Sequence, residues 1–385
     1  MQFQFTAPKI VCAPGASRNI AGLLQAAGCS RILCIYDKGV KSAGIVAPVI
    51  EAIKEKGIEV WEFDEVMPDP PVAVVEKAVQ AARGSGADGI VSIGGGSTLD
   101  TAKLAAALAA NPGPVSDYYV RDSIVNPPLP HFAIPTTSGT GSEVTPAAVV
   151  SDPELGRKVT LVDSKLVPLY AILDPLLTLG LPGHITAATG MDALSHAVES
   201  MTSIRHNPMT DGIALAAIRL IARYLPDCVK NGEDEYARAQ MMTASTMAGM
   251  AFGNTCAHVG HAFAHAMGAK WHIPHGTACA LALPFAVQNC KEIACGQIAD
   301  ISRAVGLEGG GSSPQEQADK LAGWIMGFSS SIGIPSLKKL GINPEDLEDI
   351  TRMTLEEKPL ILLSGVLVTP EDCRAYYQTL FMQEG

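Results

Sequence analysis

Of the nine histidines in this 385-residue chain, five lie between positions 258 and 275. The segment "HAFAHAMGAKWHIPHG" (261–276) carries His261, His265, His272 and His275, with His258 just upstream. Histidines 261 and 265 are four apart, so on a helix they share a face. Asp192 and His196 in "GMDALSHAVES" are spaced the same way. A carboxylate and an imidazole at i, i+4 supply half of a divalent-metal site. Three imidazoles and one carboxylate make a nitrogen-rich donor set suited to Fe²⁺ or Zn²⁺, with a position left for a substrate oxygen. Periodicity pairs His261 with His265. It does not decide which three of His258, His261, His265, His272 and His275 are ligands.

A second chemistry is carried by glycine and hydroxyl residues. "SIGGGSTLDTAK" (92–103) sets Gly94, Gly95, Gly96 and Ser97 between a strand pattern and a helix pattern. Backbone N–H groups there can approach a phosphate, and a helix N-terminus adds a favourable dipole. The run is neither G-x-G-x-x-G nor a Walker A sequence. Asp37 closes the apolar run "RILCIY", where a carboxylate can accept hydrogen bonds from a ribose diol and would repel a 2′-phosphate. "PTTSGTGSEVT" (135–145) adds Thr136, Thr137 and Thr140 as groups able to wrap a cofactor.

The elements that must position these groups fall into two halves. "RILCIY", "IEVWEF", "DGIVSIG", "HFAIP", "AAVVSD" and "LYAILDP" read as strands, and the first few alternate with helix patterns at "APVIEAIKEKG", "PVAVVEKAVQAARGSG" and "TLDTAKLAAALAA". Continuous apolar strands separated by helices predict a parallel sheet covered on both faces. The segment "LDPLLTLGLPGH" marks a boundary near residue 182. Beyond it, "ITAATGMDALSHAVESMTS" and several later stretches carry helical periodicity with little strand signal. The expected domains are 1–182, α/β and Rossmann-like, and 183–385, all-helical. "LEGGGSSPQ" (307–315) reads as a loop and not a second phosphate site, because no strand precedes it.

Composition narrows the classes. Hydrophobic residues make up 47% and charged residues 17%, with a net charge of −11; this argues for a globular protein and against nucleic acid or anionic membrane as a partner. No signal peptide and no membrane-spanning helix are expected. Nine cysteines without C-x-x-C spacing suit reduced thiols in the cytoplasm.

Taken together, "GGGSTLDTAK", "PTTSGTGSEVT", "GMDALSHAVE" and "HAFAHAMGAKWHIPHG" resemble the iron-containing (group III) alcohol dehydrogenase family, in its order and over essentially the whole chain. The resemblance implies a dehydroquinate synthase-like fold with an N-terminal NAD-binding domain and a helical metal- and substrate-binding domain. It puts the metal on Asp192, His196, His261 and His275 and makes His265 a proton carrier near nicotinamide and substrate. It makes Asp37 the ribose-binding acid, pointing to NAD. Gly96, Ser97, Thr136, Thr137, Thr145 and Lys158 match cofactor contacts, joined by Asp100 and Leu179, and Asp69 falls near the adenosine. Fe²⁺ is the expected metal, with Zn²⁺ the alternative, and the enzyme is expected to be a homodimer or higher homo-oligomer.

The chain departs from the family at His258, where a small residue is usual. On helical spacing it should share the face of His261 and line the substrate pocket, favouring a polar or anionic tail. Ala147 suggests extra room near the nicotinamide, and "LILLSGVLVTPED" (360–372) lacks the family's Asn-Pro turn. The expected reaction is hydride transfer between NAD(H) and a small primary alcohol or aldehyde. The rivals are a zinc-dependent, glycerol dehydrogenase-like polyol enzyme and a non-redox, dehydroquinate synthase-like lyase.

Overall fold

The computed structural model describes residues 3–307 and 313–383, so most of the 307–315 loop lies outside the described residues. The chain splits into two compact units, Phe5–Leu179 and one running from Gly180 to the C-terminus.

The first unit is built on β1 (Lys9–Cys12), β2 (Arg31–Asp37), β3 (Glu59–Val66), β4 (Gly89–Gly94), β5 (His131–Pro135) and β8 (Tyr170–Leu173), with a separate hairpin of β6 (Ala147–Asp152) and β7 (Arg157–Val162). Its helices are α1 (Ile20–Ala26), α2 (Lys38–Ser42), α3 (Val46–Lys54), α4 (Val72–Gly84) and α5 (Gly96–Ala109). The six-stranded sheet has the order β1-β8-β5-β4-β2-β3, and every pairing is parallel. Its central strands are largely apolar because both faces are covered; the buried polar exceptions, Ser92 of β4 and His131 of β5, pair with each other at 2.8 Å. Ile32, Cys34 and Tyr36 of β2 pack with Ile20, Leu24 and Ile53 on one side. The alternate residues Leu33 and Ile35 pack with Ala78, Ala102 and Ala105 on the other.

Two strands carry little sequence signal. β1 is largely exposed and held at the sheet edge by β8. β7, half-exposed, pairs antiparallel with β6, which stands apart from the parallel sheet.

The second unit is helical: α6 (Gly183–Thr202), α7 (Pro208–Lys230), α8 (Glu235–Thr255), α9 (Val259–Trp271), α10 (His275–Asn289), α11 (Cys295–Ala304), α12 (Pro314–Ser331), α13 (Leu347–Glu356), α14 (Lys358–Leu363) and α15 (Pro370–Met382). α6 is buried around most of its circumference, the pattern of a central helix with neighbours on all sides. Pro274 caps α10, so the chain turns sharply between α9 and α10. His272 makes that turn with a left-handed backbone, φ 53°, and ends α9 by donating its N–H to the Gly268 carbonyl. It is exposed and plays a structural part.

The start of α10 rests directly on the backbone of α6. A Cβ at Gly276 would lie 2.0 Å from the Ala188 carbonyl oxygen, closer than any tolerable contact and against backbone that cannot rotate away. Gly276→Ala is therefore expected to destabilise the helical unit by about 1–3 kcal/mol or more, measured by denaturant unfolding followed by circular dichroism.

Candidate metal and dinucleotide sites

On α6, Asp192, His196 and Glu199 follow at i, i+4 and i+7, which lines them along one face. All three are buried. The Asp192 Oδ1 atom has three imidazole nitrogens around it: His196 Nε2 at 3.6 Å, His261 Nε2 at 3.7 Å and His275 Nε2 at 3.5 Å. A fourth donor, Cys279 Sγ, stands 3.6 Å from the same oxygen. Donor atoms of Asp192, His261, His275 and Cys279 all lie within 4.8 Å of one another. Cys279 is one helical turn beyond His275 on α10. Its i, i+4 spacing from His275 was there in the sequence, but an isolated buried cysteine carries no signal of its own.

The electrostatics of this cluster favour a cation. Burial opposes ionisation of Asp192, but His196, His275 and His261 outweigh it and hold the carboxyl well below the usual carboxylate range. Burial likewise opposes Glu199, and His261 and His258 bring it down to about 2. Burial pushes the His275 imidazole down to about 3, keeping it neutral with its lone pair available. Burial opposes charge on His261, but Cys279, Glu199 and Asp192 outweigh it and raise its imidazole well above the ordinary range; the cluster thus draws positive charge to its centre, the place a divalent ion would take. The donor set therefore fits a divalent metal.

Glu199 sets the orientation of a donor. His261 Nδ1 is 2.9 Å from Glu199 Oε1. That contact makes Nδ1 a donor to the carboxylate and turns Nε2 toward Asp192. The other Glu199 oxygen accepts the backbone N–H of His258. Sequence reasoning missed Glu199, although it lies one turn past His196 on the same face.

His258 does not line a pocket. It precedes α9 as its N-cap, outside helical geometry, so helical spacing does not apply to it. Its side chain is fully buried, with Nε2 2.8 Å from Thr202 Oγ1. No face remains for a substrate tail, so His258 does not favour a polar or anionic substrate. His265 does share the α9 face with His261, as expected, but stands back from the donor atoms. Its ring centroid is 6.3 Å from that of His261 and 5.8 Å from that of His275. It is about a quarter exposed, and its Nδ1 is 3.5 Å from Glu357 Oε2. Glu357, just before α14, had no motif to mark it. The departing segment 360–372 supplies the end of α14, a left-handed Gly365 and the start of α15.

In the first unit the chain runs from β2 out to β3, then returns to β2's other side as β4. That reversal is a topological switch point, and ligands of open α/β sheets bind beyond the strand ends there. Asp37 ends β2, and Gly94 ends the adjoining β4. α5 opens at Gly96 with Gly95 as N-cap, so no capping side chain competes for its first N–H groups. A Cβ on Gly96 would come within 2.7 Å of Thr140 Cγ2. The glycine turn and the threonine loop thus close on each other, and the cradle suits a pyrophosphate at a helix N-terminus. Asp37 Oδ1 accepts from the Val40 N–H as cap of α2, while Oδ2 takes the Thr98 hydroxyl at 3.3 Å.

The remaining residues named from the sequence divide into rim and support. Thr136 donates its N–H to Gly94 O, and Thr137 is the side chain nearest to Gly95. Ser97 Oγ accepts the Asp69 N–H at 3.3 Å, and Lys158 Nζ bonds Asp69 Oδ1 at 2.6 Å. Lys158 reaches that rim because β7 carries it. Asp100 is a support and not an open contact: its oxygens are taken by Ser142 Oγ at 2.6 Å and Val149 N at 2.9 Å. The buried Lys103, which sequence reasoning passed over, donates to Thr145 Oγ1 at 3.0 Å and to the Ala147 carbonyl at 2.7 Å. Burial brings its amine down to about 8. Leu179 is half-buried at the end of the unit.

Residues 7–175 match the family model described as iron-containing alcohol dehydrogenase, and residues 186–375 match its C-terminal companion. The chain belongs to the iron-containing alcohol dehydrogenase family. Among its relatives, a long-chain-alcohol dehydrogenase of Geobacillus thermodenitrificans is 38% identical over 95% of this chain and 93% of its own length. A crystal structure of a 1,3-propanediol oxidoreductase superposes with a TM-score of 0.94 at 36% identity, covering 99% of this chain and 100% of that one. A sulfoacetaldehyde reductase from Bifidobacterium kashiwanohense, solved with NAD⁺, gives 0.89 at 30% identity with full coverage of both chains. As a member of this family the chain is an NAD-dependent alcohol oxidoreductase that uses iron.

Because Glu199 orients a donor without joining the donor cluster, Glu199→Gln is expected to lower affinity for the metal about 10–100-fold. Competition against a chromophoric chelator measures it; an unchanged affinity would show that His261 needs no such orientation.

Proposed function

We propose that the enzyme interconverts small primary alcohols and their aldehydes. The cation is held by Asp192, His196, His261 and His275, and the dinucleotide is held by Asp37, the 94–97 glycine turn and the 136–140 threonine loop. The observation that carries this reading is the convergence of three imidazole nitrogens to within 3.5–3.7 Å of one buried carboxylate oxygen. On this reading 1–182 is the NAD-binding domain and 183–385 the metal- and substrate-binding domain. The enzyme works as a homo-oligomer in the cytoplasm, a compartment consistent with nine cysteines that are all free.

Bound at these sites, Fe²⁺ supplies Lewis acidity to the alcohol or carbonyl oxygen and NAD(H) accepts or delivers hydride. The protein's own residues handle the proton. With Nδ1 turned to Glu357, His265 keeps Nε2 free to hold the proton that leaves the alcohol. Its partial exposure gives that proton a way to water. Asp37 places a negative charge where NADP would carry its 2′-phosphate, which favours NAD.

Reconstitution with Fe²⁺ and a screen of NADH oxidation against aldehydes of increasing chain length tests the reaction. Net, stoichiometric NADH consumption is expected. Turnover that leaves NADH unchanged would instead point to the lyase. His265→Gln is expected to lower kcat about 10²–10⁴-fold with metal content retained. Wild-type kcat in that variant would remove His265 from proton transfer.

A further inference from the structure

The parallel strands end at the dinucleotide cradle, and their opposite ends border a second cleft, of about 480 Å³. Lys9 and His131, the first residues of β1 and β5, line it together with the segment 165–169 that leads into β8. α5 closes one side with Lys103 and Ala106. Its size falls in the range of small-molecule sites, about 300–1,000 Å³. Pro8, Leu129, Leu166 and Pro168 make the walls apolar, and the charged lining residues are all lysines: 9, 103 and 165. Lys103 turns its amine to Thr145 Oγ1 and the Ala147 carbonyl. Lys9 and Lys165 are exposed. Lys165 Nζ gives one hydrogen to the Ile124 carbonyl at 2.9 Å, and Lys9 Nζ lies 5.1 Å from the Tyr170 ring centroid. Among the described residues neither of these two amines pairs with a carboxylate.

The group that gives the cleft a preference is His131. Phe132 packs on the α1 side of the sheet, so strand alternation turns His131 to the α5 side, where the cleft lies. Its side chain is buried. Burial, with the Lys103 charge beside it, pushes the imidazole down to about 3, so it is neutral and holds one proton. Nε2 is 2.8 Å from Ser92 Oγ, a hydroxyl with no other partner among the described residues. The hydroxyl proton therefore goes to Nε2, and the proton of the imidazole sits on Nδ1. Nδ1 is buried and has no hydrogen-bond partner. A buried N–H without an acceptor, beside a cleft whose charges are positive, suits an anion.

We propose that this cleft is a binding site for a small aliphatic carboxylate. The carboxylate accepts the His131 Nδ1–H within the positive field of Lys103, and Lys9 and Lys165 draw it in from solvent. Its hydrocarbon body lies on the leucines and prolines of the wall, where removal of apolar surface from water adds to affinity. Every lining residue belongs to the first unit, and none is among the metal or dinucleotide residues named above.

Hexanoate is the probe, titrated calorimetrically into the full-length enzyme loaded with metal and NAD⁺. Its neutral counterpart hexanamide is run alongside, and hydrogen-exchange mass spectrometry locates the bound acid. The variants are His131→Phe, which removes the donor and keeps an aromatic ring, and the surface pair Lys9→Gln with Lys165→Gln. The expected result is one hexanoate per chain with slowed amide exchange in 129–131 and 164–169. Hexanamide should bind about tenfold more weakly or less, and hexanoate affinity should fall about tenfold in each variant. Absence of hexanoate binding, or protection found only in the helical unit, would overturn the site. Equal affinity for hexanamide would overturn the anion preference, and wild-type affinity in both variants would remove His131 and the lysines from recognition. If His131→Phe fails to fold, the lysine pair and the exchange pattern still decide.

Discussion

A carboxylate buried to 2% exposure is costly unless something positive faces it, and the helical unit is organised around one such group, Asp192. α6 supplies it from the middle of the core, where water cannot help. α9 and α10 each bring an imidazole to the same oxygen, and the turn between them must be tight enough to do so. The left-handed His272, the Pro274 cap and the absent side chain at Gly276 are all parts of that turn. The surrounding alanine-rich packing holds donor atoms where no regular secondary structure alone would put them.

The first unit solves a different problem with backbone in place of side chains. A parallel sheet that reverses direction between β2 and β4 leaves two strand ends side by side with an open end beyond them. Glycine there keeps the turn narrow and leaves the α5 N–H groups free. Asp100 and Lys103, deeper on α5, brace the threonine loop and the hairpin from behind. The hydroxyl-rich segment is thus held from behind by the Asp100 carboxylate, 13% exposed, and the fully buried Lys103 amine.

Much of this was legible in the sequence. The central strands were visible because residues buried on both faces must be largely apolar, and the switch-point glycines because few other functions need three in a row after a strand. The edge strand β1 and hairpin strand β7 were not visible, since half-exposed strands need no distinctive pattern. The metal cluster was legible only in part. Helical spacing rightly put His261 and His265 on one face, but it could not say that His275, across a turn, comes closer to Asp192. It misplaced His258 by extending α9 past its true start, where the chain bends to let Glu199 in. Cys279 and Glu199 were invisible for a common reason: each is defined by a partner on another helix, and spacing reports only neighbours on the same one.

The way α9 begins has a consequence for how the chain comes together. The residue leading into it, His258, gives its backbone N–H to the side chain of Glu199, 59 residues earlier in the chain and on a different helix. Asp192 and Cys279 are 87 residues apart. Contacts of such separation form only after the intervening chain has closed its loops. During synthesis, Asp192 and His196 are made long before the residues that will face them, and α7 and α8 must fold in between. The centre is therefore a product of the assembled tertiary structure, with no early local nucleus to build on.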